Sequence, residues 1–213
     1  MNQTPQPAGA PGRFEATMHH YAATARGYEW RSAGFPWSLV KNRERSAVLR
    51  ALGSVLGEET LDLGCGIGYF TTALLAAGAS RVFAVDACRE MLDQVPASDR
   101  VTTILARAEE FDLPARVPAA ICAGMLEFVE QPRAVLERAR RAVAPSGRMS
   151  VLVPGDRLGA RLYRRFHRRH GIEVRLFAVA GLRSALEDSG WWVEWIEEIR
   201  PFSIVARVLN RRG

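Results

Sequence analysis

Two apolar runs that each carry a carboxylate frame a glycine-rich turn, and they restrict this chain more than any other feature. Leu61-Asp62-Leu63 runs into Gly64-Cys65-Gly66-Ile67-Gly68, and Val82-Phe83-Ala84-Val85 ends at Asp86. A buried strand, a sharp turn and a second buried strand ending in an acid are the parts of a nucleotide-binding α/β unit. Glycines at 64, 66 and 68 let the backbone turn sharply and let a ligand lie against bare main chain. Asp86 is placed to accept hydrogen bonds from a ribose diol. Dinucleotide folds use G-x-G-x-x-G with a pyrophosphate on the helix N-terminus, whereas here the third glycine comes one residue earlier. Asp62, ahead of the first glycine, would repel a pyrophosphate and suits a ligand with an ammonium group. S-adenosylmethionine is such a ligand.

The rest of the chain alternates strand and helix patterns. Segments 14–28 and 36–52 read as helices, broken at Gly34-Phe35-Pro36. Strands are predicted at 60–63, 81–85, 101–105, 117–123 and 148–153, with helices at 67–77, 88–95 and 131–143 between them. A helix near 178–189 and strands near 191–198 and 202–208 finish the chain. Such alternation implies right-handed crossovers and a parallel sheet covered on both faces. The short connection Glu198-Ile199-Arg200-Pro201 admits only an antiparallel hairpin, because a parallel return needs a crossover of about a dozen residues.

Further segments carry a resemblance to a known family. Tyr21-Ala22-Ala23-Thr24-Ala25-Arg26-Gly27-Tyr28-Glu29 looks like a Y-D-x-x-A-x-x-Y-D opening, with alanine and glutamate at its acidic positions. Ala123-Gly124-Met125-Leu126-Glu127-Phe128-Val129 looks like a V-L-E-H-V segment after the fourth strand. Arg140-Arg141-Ala142-Val143-Ala144-Pro145-Ser146-Gly147-Arg148 looks like an R-x-L-x-P-G-G turn, with serine for the first glycine. With the glycine turn, these resemble the small-molecule branch of the class I S-adenosylmethionine-dependent methyltransferases over nearly the whole chain.

The resemblance implies a Rossmann-like α/β fold: a seven-stranded, mostly parallel sheet with an antiparallel edge strand, helices on both faces and an N-terminal helical cap. Residues 1–12 are expected to be a disordered tail and 13–213 one domain, with the cap over 13–55 and a basic helical insert over 156–171 above the substrate site. For the cofactor, the resemblance implies Asp62, Gly64 and Gly66 at the methionine moiety, with Gly68 completing the turn and Asp86 at the ribose. Ala108 and Glu109 would flank the adenine, and Ala87 and Met91 would wall it, although Met91 is equally compatible with ordinary core. Gly124 and Met125 follow the fourth strand at the same crevice. Arg107 stands where many members have an aspartate for the adenine amine, so that contact must come from elsewhere. Cys65 is a buried filler that can also line the pocket.

Tyr21 and Tyr28 lie seven residues apart on one helical face, and at least one phenol is expected in the crevice. His19, His20, Tyr21 and Glu127 are the candidate catalytic groups, the histidines because a neutral imidazole can take a proton near pH 7. Phe128 replaces the histidine that often follows this glutamate, which favours an aromatic substrate contact there. The N/D-P-P-Y/F motif of base-methylating enzymes is absent after the fourth strand, which argues against nucleic acid as acceptor.

A second signal lies at 156–171. Arg157, Arg161, Arg164, Arg165, Arg168 and Arg169 accompany His167 and His170 with no carboxylate from 157 to 171, while Leu158, Leu162 and Phe166 form an apolar stripe at helical spacing. Arginine is the default surface cation of this chain, whose single lysine is Lys41 and whose net charge is +6. A solvated face, an anionic membrane surface and nucleic acid are all compatible. The preferred use is recognition of an anionic or polar-headed substrate, with the stripe docking the helix over the crevice. Trp191 and Trp195 should face one side of a strand and Trp192 the other, leaving one indole available for self-association.

Hydrophobic residues at 48% and charged residues at 24% describe a globular chain. No apolar stretch spans a membrane, residues 1–12 lack a signal-peptide core, and the three cysteines match neither a disulfide framework nor a metal site. The expected protein is cytoplasmic, a monomer or homodimer without metal, that methylates an oxygen or nitrogen of a small anionic or aromatic molecule. The alternatives are a lipid-like or quinone acceptor at a membrane surface, and a cofactor-binding fold used for another reaction such as cyclisation.

Overall fold

The computed structural model describes residues 12–27 and 37–211. Tyr28, the Gly34-Phe35-Pro36 break and the tail over 1–11 lie outside the described residues. Seven strands form one sheet: β1 (Glu59–Leu63), β2 (Arg81–Asp86), β3 (Val101–Leu105), β4 (Val117–Ala123), β5 (Val143–Pro154), β6 (Trp192–Ile199) and β7 (Ser203–Leu209). Their order is β3-β2-β1-β4-β5-β7-β6. The first five pair in parallel, and β7 runs antiparallel to both β5 and β6. The expected edge hairpin is present, and its antiparallel member β7 lies one position inside the edge.

Around the sheet lie α1 (Arg13–Thr24), α2 (Trp37–Leu52), α3 (Tyr69–Ala76), α4 (Arg89–Leu92), α5 (Pro132–Ala142), α6 (Leu158–Arg168) and α7 (Val179–Asp188). Side chains alternate between the faces of a strand, and the two cores follow that alternation. On one face Leu61, Leu63, Ala120, Cys122, Val151 and Val153 meet Val135, Leu136 and Ala139 of α5 and Leu182 and Leu186 of α7. On the other, Val82, Ala119, Ile121, Leu152 and Val205 meet Ala47, Val48, Ala51 and Leu52 of α2 and Leu74 of α3. Asp62 has the parity of this second face, so its side chain is driven beneath α3.

Across 13–55, where a cap is expected, α1 and α2 pack differently. Burial of Ala47, Val48, Ala51 and Leu52 makes α2 a layer of the domain rather than a cover over the strand ends. Helix α1 packs on α4 instead, where Met18, Tyr21 and Ala22 meet Ala25, Cys88 and Met91. Within the basic segment, α6 is helical over 158–168.

The apolar stripe of α6 is the clearest reversal. Leu158, Leu162 and Phe166 are 75%, 61% and 56% exposed, while Ala160 and His167 are buried. Gly159 explains part of this, since a Cβ there would lie 3.2 Å from the Phe202 ring. The missing side chain lets the helix approach Phe202, and Tyr163 and His167 then fill an aromatic cluster. At the C-terminal end Trp191 is buried and donates its indole N–H to the Leu136 carbonyl at 3.0 Å. Trp192 is half-exposed, with the Arg211 guanidinium 4.3 Å from its ring centroid.

Candidate active site

Beyond the carboxyl ends of β1, β2, β4 and β5 lies a cavity of about 320 Å³. A parallel sheet opens such a crevice where its strand order reverses, here between β1 and β4. The floor is main chain. Gly64, Gly66 and Gly68 take φ values of +75°, +53° and +86°, a region costing other residues roughly 1–2 kcal/mol. The N–H groups of Gly64 and Cys65 both donate to the Val85 carbonyl, at 2.8 and 3.0 Å. A Cβ on Gly64 would fall 2.5 Å from Met125 Cγ, whereas one on Gly66 would meet nothing within 4 Å. The space above Gly66 is thus the open cavity.

Asp86 joins the turn to β2. Its Oδ2 accepts the Gly66 N–H at 2.8 Å and its Oδ1 accepts the Cys88 N–H at 2.9 Å. A carboxylate oxygen accepts more than one hydrogen bond, so each oxygen can still receive a hydroxyl from the cavity. Burial pushes the Asp86 carboxyl up, opposed by these backbone donors.

Gly64, Cys65, Gly66, Asp86, Ala87, Met91, Ala108, Glu109, Gly124, Met125, Tyr21 and Glu127 all line the cavity. Met91 is buried beside α1 and also borders the cavity. Cys65 is buried, and burial followed by the field of Asp62 keeps its thiol protonated.

Four expected residues do not line it. Asp62 is fully buried and accepts a hydrogen bond from the Thr71 hydroxyl at 2.7 Å. Strand parity, described above, takes its carboxylate away from the ligand face, and burial pushes its pKa up to about 7. Gly68 caps the start of α3 against Val95 and Pro96. His19 is exposed on α1. His20 packs its ring against Tyr21, His167 and His170 at centroid distances of 5.5, 6.1 and 5.9 Å. It supports the wall from behind.

That wall is aromatic. Tyr21, Phe128, Tyr163 and Phe202 line the cavity, with Tyr21 against Phe128 at 5.5 Å and Tyr163 against Phe202 at 5.4 Å. His167 closes the cluster 4.3 Å from Tyr163. Burial, then His20 and His170, lowers its pKa to about 4, so it is neutral near pH 7. Glu127 is buried and its pKa is raised to about 8, chiefly by burial. Glu44 of α2 also lines the cavity, receives the Ser203 hydroxyl, and is raised by burial.

Sequence reasoning missed several of these. Phe14, Thr17 and Met18 share the cavity-facing stripe of α1 with Tyr21, a helical spacing that could have been read. Lys41, Glu44, Tyr163, Phe202 and Ser203 carry no motif and reach the cavity through tertiary packing alone. Arg107 stacks its guanidinium 4.1 Å from the Phe14 ring centroid, which ties the loop after β3 to α1. None of the six arginines over 157–169 lines the cavity. Arg157 pairs with Glu198 and Arg161 with Asp156.

Residues 61–151 match a family model described as a methyltransferase domain. The demethylmenaquinone methyltransferase of Clavibacter sepedonicus is 35% identical over 131 residues, covering 56% of this chain and 53% of that protein. The chain spans at most about half the length of the curated relatives it matches. Magnesium protoporphyrin IX methyltransferase from Synechocystis, solved with bound SAH, superposes with a TM-score of 0.73 at 17% identity over 94% of this chain and 100% of that one. The cyclase SpnF superposes with a TM-score of 0.80 at 13% identity over 96% and 98%. With the glycine turn and the seven-stranded order in place, residues 61–151 match a methyltransferase domain and the chain takes the fold of the S-adenosylmethionine-dependent methyltransferases.

Proposed function

We propose that this protein transfers a methyl group from S-adenosylmethionine to an oxygen or nitrogen of a small aromatic molecule. The observation that carries the cofactor half is the open space above Gly66 beside Asp86. A ligand can lie on the bare turn while its ribose hydroxyls donate to Asp86. The donor set fits the cofactor's charge as well, since Asp86, Glu109 and Glu44 border the cavity against Lys41 and Arg107. When bound, S-adenosylmethionine supplies a methyl group already activated on a sulfonium.

The protein's own task is to align an acceptor lone pair and to exclude water. Tyr21, Phe128, Tyr163 and Phe202 offer ring faces and edges for a flat acceptor. Glu127, once ionised, can take the proton that a phenol loses as its oxygen attacks, or the proton that a neutral amine sheds once its nitrogen is methylated. Its raised pKa makes it a stronger base than an exposed glutamate. An acidic polar lining favours a neutral or cationic acceptor over an anionic one. Similarity to the ubiquinone biosynthesis O-methyltransferase of Schizosaccharomyces pombe, 34% identical over 124 residues, supports a quinol-like compound as the first to try.

Fold likeness to a cyclase does not assign a reaction. Incubation with methyl-labelled S-adenosylmethionine and a panel of quinols, phenols, amines and carboxylic acids tests the proposal. Label transfer to a quinol, phenol or amine, with release of S-adenosylhomocysteine, is expected. Tight cofactor binding without methyl transfer to any class would overturn it.

A further inference from the structure

Helix α6 turns its least soluble side to solvent. Leu158, Leu162 and Phe166 recur every four residues and form one ridge, each more than half exposed. A single exposed leucine is ordinary, but three aligned apolar side chains on one short helix form a patch. Arg164, Arg165 and Arg168 are exposed on the same element, and Arg169 directly after it. They make no ion pair among the described residues. On the other flank of the ridge is Tyr163, which borders the cavity. The exposed part of α6 therefore passes from arginines through an apolar ridge to the cavity rim.

We infer that α6 docks this protein on an anionic lipid surface, with Leu158, Leu162 and Phe166 entering the headgroup boundary and the arginines meeting lipid phosphates. The chemistry selects this occupant from three. An interfacial helix combines an apolar ridge with a basic, carboxylate-free face, and α6 has no acid from 158 to 168. Nucleic acid would satisfy the arginines and leave the leucines and phenylalanine unburied. A second copy related by a two-fold axis would bury the ridge and bring arginine against arginine. Only a sheet of anionic headgroups over hydrocarbon matches both halves. No helix among the described residues is long and apolar enough to cross a membrane, so attachment would be peripheral. At about 1.5 Å per residue the helix is short, and binding should be reversible. Docking would bring the cavity rim beside Tyr163 to the bilayer, where an apolar acceptor is concentrated.

The test is co-sedimentation of the full chain with vesicles of phosphatidylcholine alone and of phosphatidylcholine mixed equally with phosphatidylglycerol, at low and high salt. No acceptor is present, so the result stands apart from the methyl-transfer proposal. The chain should sediment with the anionic vesicles, less so at high salt, and not with the neutral ones. Leu162→Ser with Phe166→Ser should weaken binding at least tenfold, and Arg164→Gln with Arg165→Gln and Arg168→Gln roughly a hundredfold. Both variants should keep the parent's affinity for S-adenosylmethionine, which shows that the fold is intact. Equal sedimentation with both vesicle types, or variants that bind like the parent, would overturn the inference. So would retention of duplex DNA or RNA without vesicle binding, or a concentration-dependent dimer abolished by Leu162→Ser in a protein that ignores vesicles.

Discussion

The floor and the wall of the cavity are built on different physical terms. The floor is main chain held by strands buried on both faces, and its glycine turn is tied by backbone N–H groups to Val85 and Asp86. The wall is side chains from α1, the segment after β4, α6 and the β6–β7 turn, which meet only as rings in contact. A main-chain surface recognises what it touches through fixed geometry and tolerates no added atoms. A side-chain surface sets shape and polarity, and it can change one residue at a time. Cofactor binding should therefore break sharply at the floor, and acceptor choice should shift gradually at the wall.

The sharpest test is Gly66→Ala. A Cβ there enters open cavity at a left-handed φ, so the protein should stay folded with a strain of roughly 1–2 kcal/mol. Calorimetry should show S-adenosylmethionine affinity reduced at least about a hundredfold. Undiminished binding would mean that the ligand does not lie on the floor. Asp86→Ala comes next, with an expected loss of roughly ten- to a hundredfold, since a hydrogen bond to a charged group contributes about 1.5–3 kcal/mol. Loss of thermal stability without loss of affinity would make Asp86 only a brace for Gly66 and Cys88.

The wall should behave otherwise. Below pH 8 the Glu127 carboxyl is mostly protonated, so acceptor kcat/KM should rise by up to about tenfold per pH unit and level off above that value. Glu127→Gln should remove the slope. A pH profile that keeps it in the variant assigns the proton to another group. The same shift has a cost in stability. Folded Glu127 keeps a proton that the unfolded chain loses above about pH 4.5, so its ionisation weakens the fold progressively from there to about pH 8. Tyr163→Ala should raise the acceptor KM by roughly three- to tenfold and leave cofactor affinity unchanged, as loss of an aromatic pair of about 0.5–1.5 kcal/mol would do. A parallel loss of cofactor binding would erase the distinction between the regions.

The smallest effect lies away from the cavity. Ser146 adopts φ of +65° in the turn within β5, the conformation that glycine accepts without strain. Ser146→Gly should raise stability by up to about 1 kcal/mol, read by chemical denaturation, without altering kinetics.

How legible each part was follows from this contrast. The strands at 101–105 and 117–123 are predicted and observed with the same bounds, because apolar runs between turn residues declare themselves locally. That Gly64, Gly66, Asp86 and Glu109 border one crevice is legible because one strand–turn–helix–strand unit and the loop that follows it supply them. Charge alone sets Asp62 beside an ammonium group, whereas its parity within β1 sets it beneath α3 beside Thr71. The outward direction of the stripe on α6 is not legible locally, because periodicity marks which residues share a side, not which side meets the protein.

The amino-acid sequence by itself determined the order of strands and helices, the glycine turn and the acid at the end of β2. Each depends on residues within a few positions of one another and on backbone freedom or hydrophobic period. Tertiary structure alone decided that Phe128, Tyr163 and Phe202 share a wall, that Glu44 reaches it from α2, and that α6 presents Leu162 and Phe166 outward. Those outcomes rest on which surfaces bury together, and that balance is settled only when segments far apart in the chain compete for the same space.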